Sequence, residues 1–96
     1  MSLDYLLQQY QVVLFDLSSC PYCRIAEAKL QDYNIPYMLV PIEKYRIELK
    51  TITGVSSAPS VWVNGKYIGG CNDGPEDWHG VIPMLENGTL QKMLNE

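Results

Sequence analysis

The sequence SCPYCR occupies residues 19–24 and joins an apolar, strand-like segment at residues 12–15 to a helix-like segment at residues 25–33. Cys20 and Cys23 therefore stand at the start of a helix, where unpaired backbone N–H groups and the helix dipole favour negative charge. This position favours the thiolate of the first cysteine, and a thiolate is the species that attacks a disulfide. The second cysteine can then expel the resulting mixed disulfide. The stretch predicts a redox site in a strand–turn–helix unit.

Two other roles are open to this cysteine pair. A zinc site usually has four ligands, and the rest of the sequence offers only Cys71 and His79, so zinc is disfavoured. A disulfide with a purely structural role is disfavoured even more, because closing a loop this short constrains little of the unfolded chain and stabilises the fold little. We therefore expect no metal.

The composition is that of one small globular domain. The chain has 96 residues, of which 47% are hydrophobic, and this is enough for a core without a disulfide framework. An odd number of cysteines argues against a secreted, stapled scaffold, and residues 1–5 lack the features of a signal peptide. No apolar run approaches a membrane span, and the formal charge of −4 disfavours nucleic acid. We expect a single domain over residues 1–96, in the cytoplasm, with no membrane or nucleic-acid partner.

Hydrophobic periodicity divides the first half of the chain into helices and strands. In order, it predicts a helix near residues 3–10, a strand at 11–16, a helix at 21–33, a strand at 37–40 and a helix at 41–53. Gly54 is a natural terminator of the last of these helices. In the helix at 21–33, the residues predicted to face inward are Ile25, Ala26 and Leu30, with Tyr33 as a further candidate.

The second half predicts a β-hairpin and then helical structure. Residues 61–63 and 66–68 are joined by Asn-Gly at 64–65, a pair that supplies the positive φ of a tight turn. Asp73 is predicted to cap a following helix, with Pro75 in its first turn. Two early strands joined by a crossover helix should be parallel, and the hairpin antiparallel. The fold class expected is α/β, a four-stranded mixed β-sheet flanked by helices.

Three blocks of the chain resemble the dithiol glutaredoxins of the thioredoxin superfamily. They are CPYC at residues 20–23, TGVSSAP at 53–59 and GGCND at 69–73. The resemblance implies the thioredoxin fold and a glutathione-dependent thiol–disulfide oxidoreductase. Such an enzyme reduces protein–glutathione mixed disulfides and protein disulfides, with ribonucleotide reductase as one candidate target, and glutathione is its reducing co-substrate. We expect a monomer.

The resemblance also implies a glutathione site around the catalytic residues Cys20 and Cys23. Its expected members are Tyr22, Arg46, Ala58, Pro59, Gly70, Cys71, Asn72 and Asp73. Pro59 matches the family's cis-proline, a turn that would free the Ala58 backbone to pair with an extended peptide such as glutathione. A trans proline that starts a strand is the alternative.

The block at residues 69–73 is expected to hold the other end of glutathione. Gly70 would allow close approach, and the N–H groups of Asn72 and Asp73 at a helix start would suit a carboxylate. The Asp73 side chain could hold the α-ammonium group, cap the helix, or do both. Cys71 could form an adduct with glutathione or an intermolecular disulfide, although a small buried hydrophobe is the ordinary role of a free cysteine.

The chain departs from the family pattern beside the first cysteine. Many members have a lysine three residues before it, whereas this chain has Leu17. The helix terminus must then contribute more of the support for the thiolate, and the Ser18 or Ser19 hydroxyl could donate to the sulfur. Arg46 falls where the family places a residue that holds the glycine carboxylate of glutathione, with a solvated surface charge as the alternative.

Residues 74–83 are longer than the corresponding part of typical small members. Trp78 is expected to pack on the sheet, with a cover over the glutathione site as the alternative, and His79 has no assigned catalytic role. The core contacts predicted for a terminal helix are Leu85, Leu90, Met93 and Leu94.

Two other functions are compatible with the resemblance. One is an iron–sulfur carrier, in which two chains bridge a cluster through Cys20 and two glutathiones. Pro21 disfavours it, because members with that role have Gly or Ser at this position. The other is a thioredoxin-like electron donor served by a flavoprotein reductase, which the glutathione-site residues Gly70, Asn72 and Asp73 disfavour.

Overall fold

The structure, a computed structural model that describes residues 1–96, contains five α-helices and four strands. In chain order they are α1 (Leu3–Gln9), β1 (Val12–Asp16), α2 (Pro21–Asp32), β2 (Met38–Pro41), α3 (Arg46–Thr53), β3 (Ser60–Val63), β4 (Lys66–Gly69), α4 (Val81–Glu86) and α5 (Thr89–Leu94). A 3₁₀ turn, Ile42–Lys44, precedes α3. None of the helices combines the length and apolarity that crossing a bilayer requires.

The strands form one mixed sheet in the order β2-β1-β3-β4. On β1, Val13 lies opposite Met38 of the parallel strand β2 and opposite Trp62 of the antiparallel strand β3. The hairpin of β3 and β4 turns at Asn64 and Gly65, whose φ values are 50° and 78°. Two successive positive φ values are those of the tight hairpin turn that an Asn-Gly pair favours. The predicted topology and hairpin are confirmed.

Two apolar clusters cover the two faces of the sheet. Successive side chains of a strand point to opposite faces, so Val12 and Leu14 join one cluster while Val13 and Phe15 join the other. The first cluster contains Ala26 and Leu30 of α2 and the buried residues of α4 and α5, and the second contains the buried residues of α1 and α3. β1 is therefore buried on both faces, as its unbroken apolar run predicts.

The buried face of α2 differs from the prediction at two positions. Its buried residues are Cys23, Ala26 and Leu30, three members of one helical stripe. Ile25 is 43% exposed, because the position before Ala26 is turned by about 100° from that stripe. Tyr33 is exposed as well, since it is the C-cap residue and lies outside the helix. The buried residue in the first turn of α2 is therefore Cys23, and not Ile25 as predicted.

The segment after β2 also corrects the prediction. Pro41 does not open a helix, because it is the last residue of β2 and pairs with Asp16. A proline is compatible with this position since β2 is an edge strand. Helix α3 begins only at Arg46, and Gly54 ends it in the left-handed conformation with φ of 78°, as predicted.

The terminal region folds as two short helices rather than one. Leu85 lies on α4 and Leu90 on α5, and both are buried, while Met93 and Leu94 pack partly against the same cluster. Gly88 separates the helices with φ of 84°. The predicted core contacts are therefore present, but α4 and α5 supply them separately.

Candidate dithiol active site

The cysteine pair lies at the N-terminus of α2, just after the carboxyl end of β1. Cys20 is the N-cap residue, with an extended backbone, and Pro21 is the first helical residue. Proline suits this position because its missing N–H would have no partner in the helix. The Cys23 N–H donates to Cys20 Sγ at 3.2 Å, so the sulfur takes the place that a capping oxygen usually occupies. This N–H, rather than the hydroxyl of Ser18 or Ser19, is the donor to the sulfur.

The two thiols differ sharply in environment. Cys20 is partly exposed, whereas Cys23 is completely buried. Burial, and next the hydrogen bond with the Cys20 side chain, raises the pKa of Cys23 to about 12. Cys23 is therefore a neutral thiol at neutral pH, and Cys20 is the thiol of the pair that an external disulfide can reach.

The second sequence block lies against Cys20. The Ala58–Pro59 peptide bond is cis, as predicted, and Cys20 Sγ donates to the Ala58 carbonyl oxygen at 3.6 Å. The Ala58 N–H has no hydrogen-bond partner within the chain. The backbone beside the reactive sulfur thus presents a free donor to an incoming extended chain.

The third block closes against the second. A side-chain atom added at Gly70 would lie 3.2 Å from the Pro59 carbonyl oxygen, so the two backbones are close. Cys71 is buried, and burial, followed by the nearby Cys20, raises its pKa. Asn72 and Asp73 are exposed. The structure therefore brings this block to the Pro59 turn beside the dithiol.

The predicted helix cap at Asp73 is wrong. Residues 70–80 form an irregular loop, which includes Pro75, and α4 begins only at Val81. The N–H groups of Val81 and Ile82 donate to the carbonyls of Gly70 and Cys71, which ties the start of α4 directly to the end of β4. Asn72 and Asp73 consequently have no helix behind their N–H groups, and the dipole expected there is absent.

Arg46 and Tyr22 lie on two different helices, α3 and α2. Arg46 opens α3 and lines a shallow depression of about 540 Å³ together with Lys50 and Ser56. Its Nε atom is buried and has no hydrogen-bond partner. Tyr22, on the first turn of α2, is 58% exposed. Two other depressions, of about 470 and 360 Å³, lie at the amino end of β1, away from the cysteines.

Trp78 does not pack on the sheet as expected. It is 48% exposed and its ring lies 3.9 Å, centroid to centroid, from the ring of His79. His79 Nδ1 accepts a hydrogen bond from the Glu76 N–H, and the His79 N–H donates to the Glu76 carbonyl. This part of the loop closes on itself, which leaves the indole at the surface.

An ion pair beside the dithiol was not among the predicted site residues. The Arg24 guanidinium contacts the Asp16 carboxylate at the end of β1, and its Nε lies 3.2 Å from Glu27 Oε2. The Asp16 side chain is also the smallest of the causes that raise the pKa of Cys23, after burial and the neighbouring Cys20. The available sequence signal was an acidic residue at the end of the strand that leads into the cysteine turn. No group of three or more His, Cys, Asp or Glu side chains is arranged to hold a metal ion.

These features define a class of protein. The sheet is mixed and four-stranded, with helices on both faces, and a Cys-x-x-Cys pair starts the helix after the first strand. This combination is typical of a thioredoxin-fold thiol–disulfide oxidoreductase. The glutaredoxin family model matches residues 12–68, more than half of the chain. The chain belongs to the glutaredoxin family.

Relatives and solved structures agree with this assignment. Glutaredoxin-1 of Rhizophagus irregularis is 28% identical over 95 residues, which cover 93% of this chain and 87% of that protein. The crystal structure of oxidized glutaredoxin 2 from Chlamydomonas reinhardtii superposes with a TM-score of 0.77 at 28% identity, covering 95% of this chain and 85% of that one. A buckwheat glutaredoxin–glutathione complex shares the fold with a TM-score of 0.80 at 24% identity, covering 95% and 82%.

Proposed function

We propose that this glutaredoxin uses glutathione to reduce protein–glutathione mixed disulfides and protein disulfides, and that residues 1–96 act as one glutaredoxin domain. The observation that carries the proposal is the asymmetry of the two thiols. Cys20 is partly exposed and caps a helix, while Cys23 is buried and protonated beside it. An attacking thiol must be accessible, whereas a resolving thiol needs only to reach the first sulfur.

The chemistry proceeds by thiol–disulfide exchange. Cys20 Sγ, as the thiolate, attacks the glutathione sulfur of a protein–glutathione disulfide, the S–S bond breaks, and the target protein leaves as its thiolate. A second glutathione thiolate then attacks the Cys20–glutathione disulfide and gives glutathione disulfide and free Cys20. With a protein disulfide, Cys23 performs the second attack and a Cys20–Cys23 disulfide results, which two glutathiones reduce.

The backbone beside Cys20 supports binding of glutathione as an extended peptide. The free Ala58 N–H, next to Pro59, can pair with the cysteine residue of glutathione. Gly70 belongs to this site because its backbone lies close to the Pro59 carbonyl, at the same turn. Glutathione is present in the buckwheat complex named above, and that protein has the same fold.

The two ends of glutathione would meet opposite charges. Arg46, in the depression it shares with Lys50, supplies a cation for the glycine carboxylate. The exposed Asp73 supplies an anion for the α-ammonium group, and Asn72 lies beside it. We assign Tyr22, exposed next to Cys20, and Cys71, whose pKa is affected by Cys20, to the remaining rim of this site.

The protein partners follow from the same chemistry. They are glutathionylated or disulfide-containing proteins, with ribonucleotide reductase as one candidate, and the protein acts as a monomer in the cytoplasm. A reduced compartment supplies the glutathione that the cycle consumes.

The test is a coupled assay with glutathione, glutathione reductase, NADPH and a small glutathione mixed disulfide. We expect NADPH oxidation that is proportional to the protein concentration and absent with Cys20→Ser. A matched arm replaces glutathione and its reductase with a thioredoxin reductase. Turnover only in that second arm would contradict the proposal and favour a thioredoxin-like electron donor.

A further inference from the structure

A cationic depression lies beside the backbone that contacts the reactive sulfur. Its lining includes Arg46 and Lys50 of α3, and Ser56, which follows that helix. Ser56 is two residues before Ala58, whose carbonyl accepts a hydrogen bond from Cys20 Sγ. Two residues of extended chain span at most about 7 Å, so an extended polypeptide bound at Ala58 reaches the depression within one or two residues.

The two cations of this depression have no counter-charge within the chain. Both salt bridges of the protein belong to Arg24, so neither Arg46 nor Lys50 is paired. Arg46 Nε is buried without a hydrogen-bond partner, an arrangement that costs free energy until an acceptor binds there. Ile47 lines the same depression and is 85% exposed, so it offers apolar contact area beside the two cations. This combination suits an acidic polypeptide better than a small inorganic anion.

The other end of the same backbone is acidic. A side-chain atom added at Gly70 would lie 3.2 Å from the Pro59 carbonyl oxygen and 3.8 Å from Asp73 Oδ1. The loop at residues 70–80 therefore meets this backbone just after Ala58. The loop contains no Lys or Arg, and its exposed carboxylates are those of Asp73, Glu76 and Asp77. The backbone at residues 56–59 thus runs from a cationic end to an acidic end.

A target polypeptide that pairs with the free Ala58 N–H crosses both ends. Glutathione sets its direction in the proposed function, since the glycine after its cysteine lies at Arg46 and the γ-glutamyl group before its cysteine lies at Asp73. We propose that, in protein disulfides, this site selects a reacting cysteine that is followed within two residues by Asp or Glu, an inference that rests on the proposed thiol–disulfide exchange. Arg46 and Lys50 bind that carboxylate, while the acidic loop repels a carboxylate that precedes the cysteine.

Two synthetic peptides of the same composition test this selection. Both have blocked ends and carry their single cysteine as a mixed disulfide with 2-thiopyridine, but two Glu follow the cysteine in one peptide and precede it in the other. Cys20 Sγ bonds to the peptide sulfur, the S–S bond breaks, and 2-pyridinethiolate leaves and takes up a proton from water as 2-thiopyridone, whose absorbance is followed. The overall charge of −4 repels both peptides alike. Their rates with a small neutral thiol correct for intrinsic reactivity.

At low ionic strength, we expect the peptide with Glu after the cysteine to react roughly three- to tenfold faster, and the ratio of the two rates to approach one at high salt. Lys50→Ala should lower this ratio by about two- to threefold, and Arg46→Ala at least as much. Lys44→Ala is the matched control, because it removes the same charge from the 3₁₀ turn before α3, outside the depression. It should keep the wild-type ratio.

Each result is a ratio of two peptides on one variant, so a partial loss of folded protein does not change it. A wild-type ratio of one or below at low salt overturns the inference. A ratio that neither Lys50→Ala nor Arg46→Ala lowers overturns it as well, since the preference then arises elsewhere. A wild-type protein that reacts with neither peptide would instead contradict the proposed function.

Discussion

The turn at residues 19–24 is held by its own neighbours, whereas the two ends of the loop at residues 70–80 are held together by hydrogen bonds that span the whole loop. In the turn, the Cys20 N–H donates to Leu17, and the N–H groups of Cys23 and Arg24 donate to Cys20. In the loop, the Gly80 N–H donates to Ile68 instead. The turn is therefore specified by a few adjacent residues, and the loop by the way β4 and α4 pack together.

This difference assigns different tasks to the two regions. The turn carries the sulfur chemistry, and its geometry needs only the helix that follows it. The loop carries Asn72 and Asp73, and their positions depend on close backbone contacts at several glycines. Substitutions in the turn should change catalysis with little effect on folding, while substitutions at the base of the loop should change stability first.

The largest expected effect is in the turn. Cys20→Ser should abolish turnover of every disulfide substrate, because it removes the accessible sulfur nucleophile. The coupled glutathione assay measures this, and circular dichroism should show an unchanged fold. Substantial activity in Cys20→Ser, combined with loss of activity in Cys23→Ser, would reverse the assignment of the two thiols.

The second prediction separates the two cysteines of the same turn. Cys23→Ser should retain deglutathionylation, since glutathione itself can attack the Cys20–glutathione disulfide. It should lose the reduction of protein disulfides that need a second thiol in the enzyme. Parallel assays with a glutathionylated protein and with a disulfide-bonded protein check this. Equal loss in both assays would contradict the division of labour.

The sequence predicted the turn because its signals are local. A cysteine before a proline at the helix start, followed by a periodic apolar stripe, is sufficient to place both thiols. The same is true of the Asn-Gly hairpin and of Gly54 at the end of α3. The sheet order followed from these elements and the crossover rule.

The loop and the Asp16 contact could not be predicted in this way. Asp73 has the residue type of a helix cap, but the carbonyls of Gly70 and Cys71 accept the first N–H groups of α4 instead. The ion pair of Asp16 and Arg24 joins a strand end to the first turn of a helix, and it depends on how α2 lies on the sheet. Both features are set by tertiary packing, which residue types and spacing do not encode.

The third prediction tests how the loop is held. Gly69 has φ of 99°, and an added side-chain atom would collide with the Asp73 carbonyl. Gly69→Ala should therefore lower the free energy of unfolding by about 2–4 kcal/mol, from backbone strain and overpacking together. Gly54→Ala is the matched control, since φ is 78° there but no atom lies within 4 Å. It should cost only about 1–2 kcal/mol.

Chemical denaturation of the two variants measures this difference. Equal losses of stability at Gly69 and Gly54 would mean that positive φ alone matters and that the loop tolerates the added atom. A larger loss of stability for Gly69→Ala than for Gly54→Ala would show that backbone contacts between the loop and the end of β4 stabilise the fold.

The smallest effect concerns glutathione affinity, and it follows from what both regions lack. Leu17 stands before the turn, where the family resemblance leads us to expect lysine, and the loop offers no helix N-terminus behind Asn72 and Asp73. Carboxylate binding should then depend on Arg46. A hydrogen bond to a charged group contributes about 1.5–3 kcal/mol, and less where solvent reaches it. Arg46→Ala should accordingly raise the KM for glutathione by roughly three- to thirtyfold.

The maximal rate should change little, because the carboxylate is remote from the sulfur exchange, and the KM effect should shrink at high salt through screening. Lys50→Ala is the matched control: it removes the same charge from the same depression, but from an exposed side chain, so its effect should be smaller. Steady-state kinetics at low and high ionic strength compare the two. If KM for glutathione is unchanged in Arg46→Ala at low salt but raised in Lys50→Ala, then Lys50 binds the glycine carboxylate and Arg46 is only a surface charge.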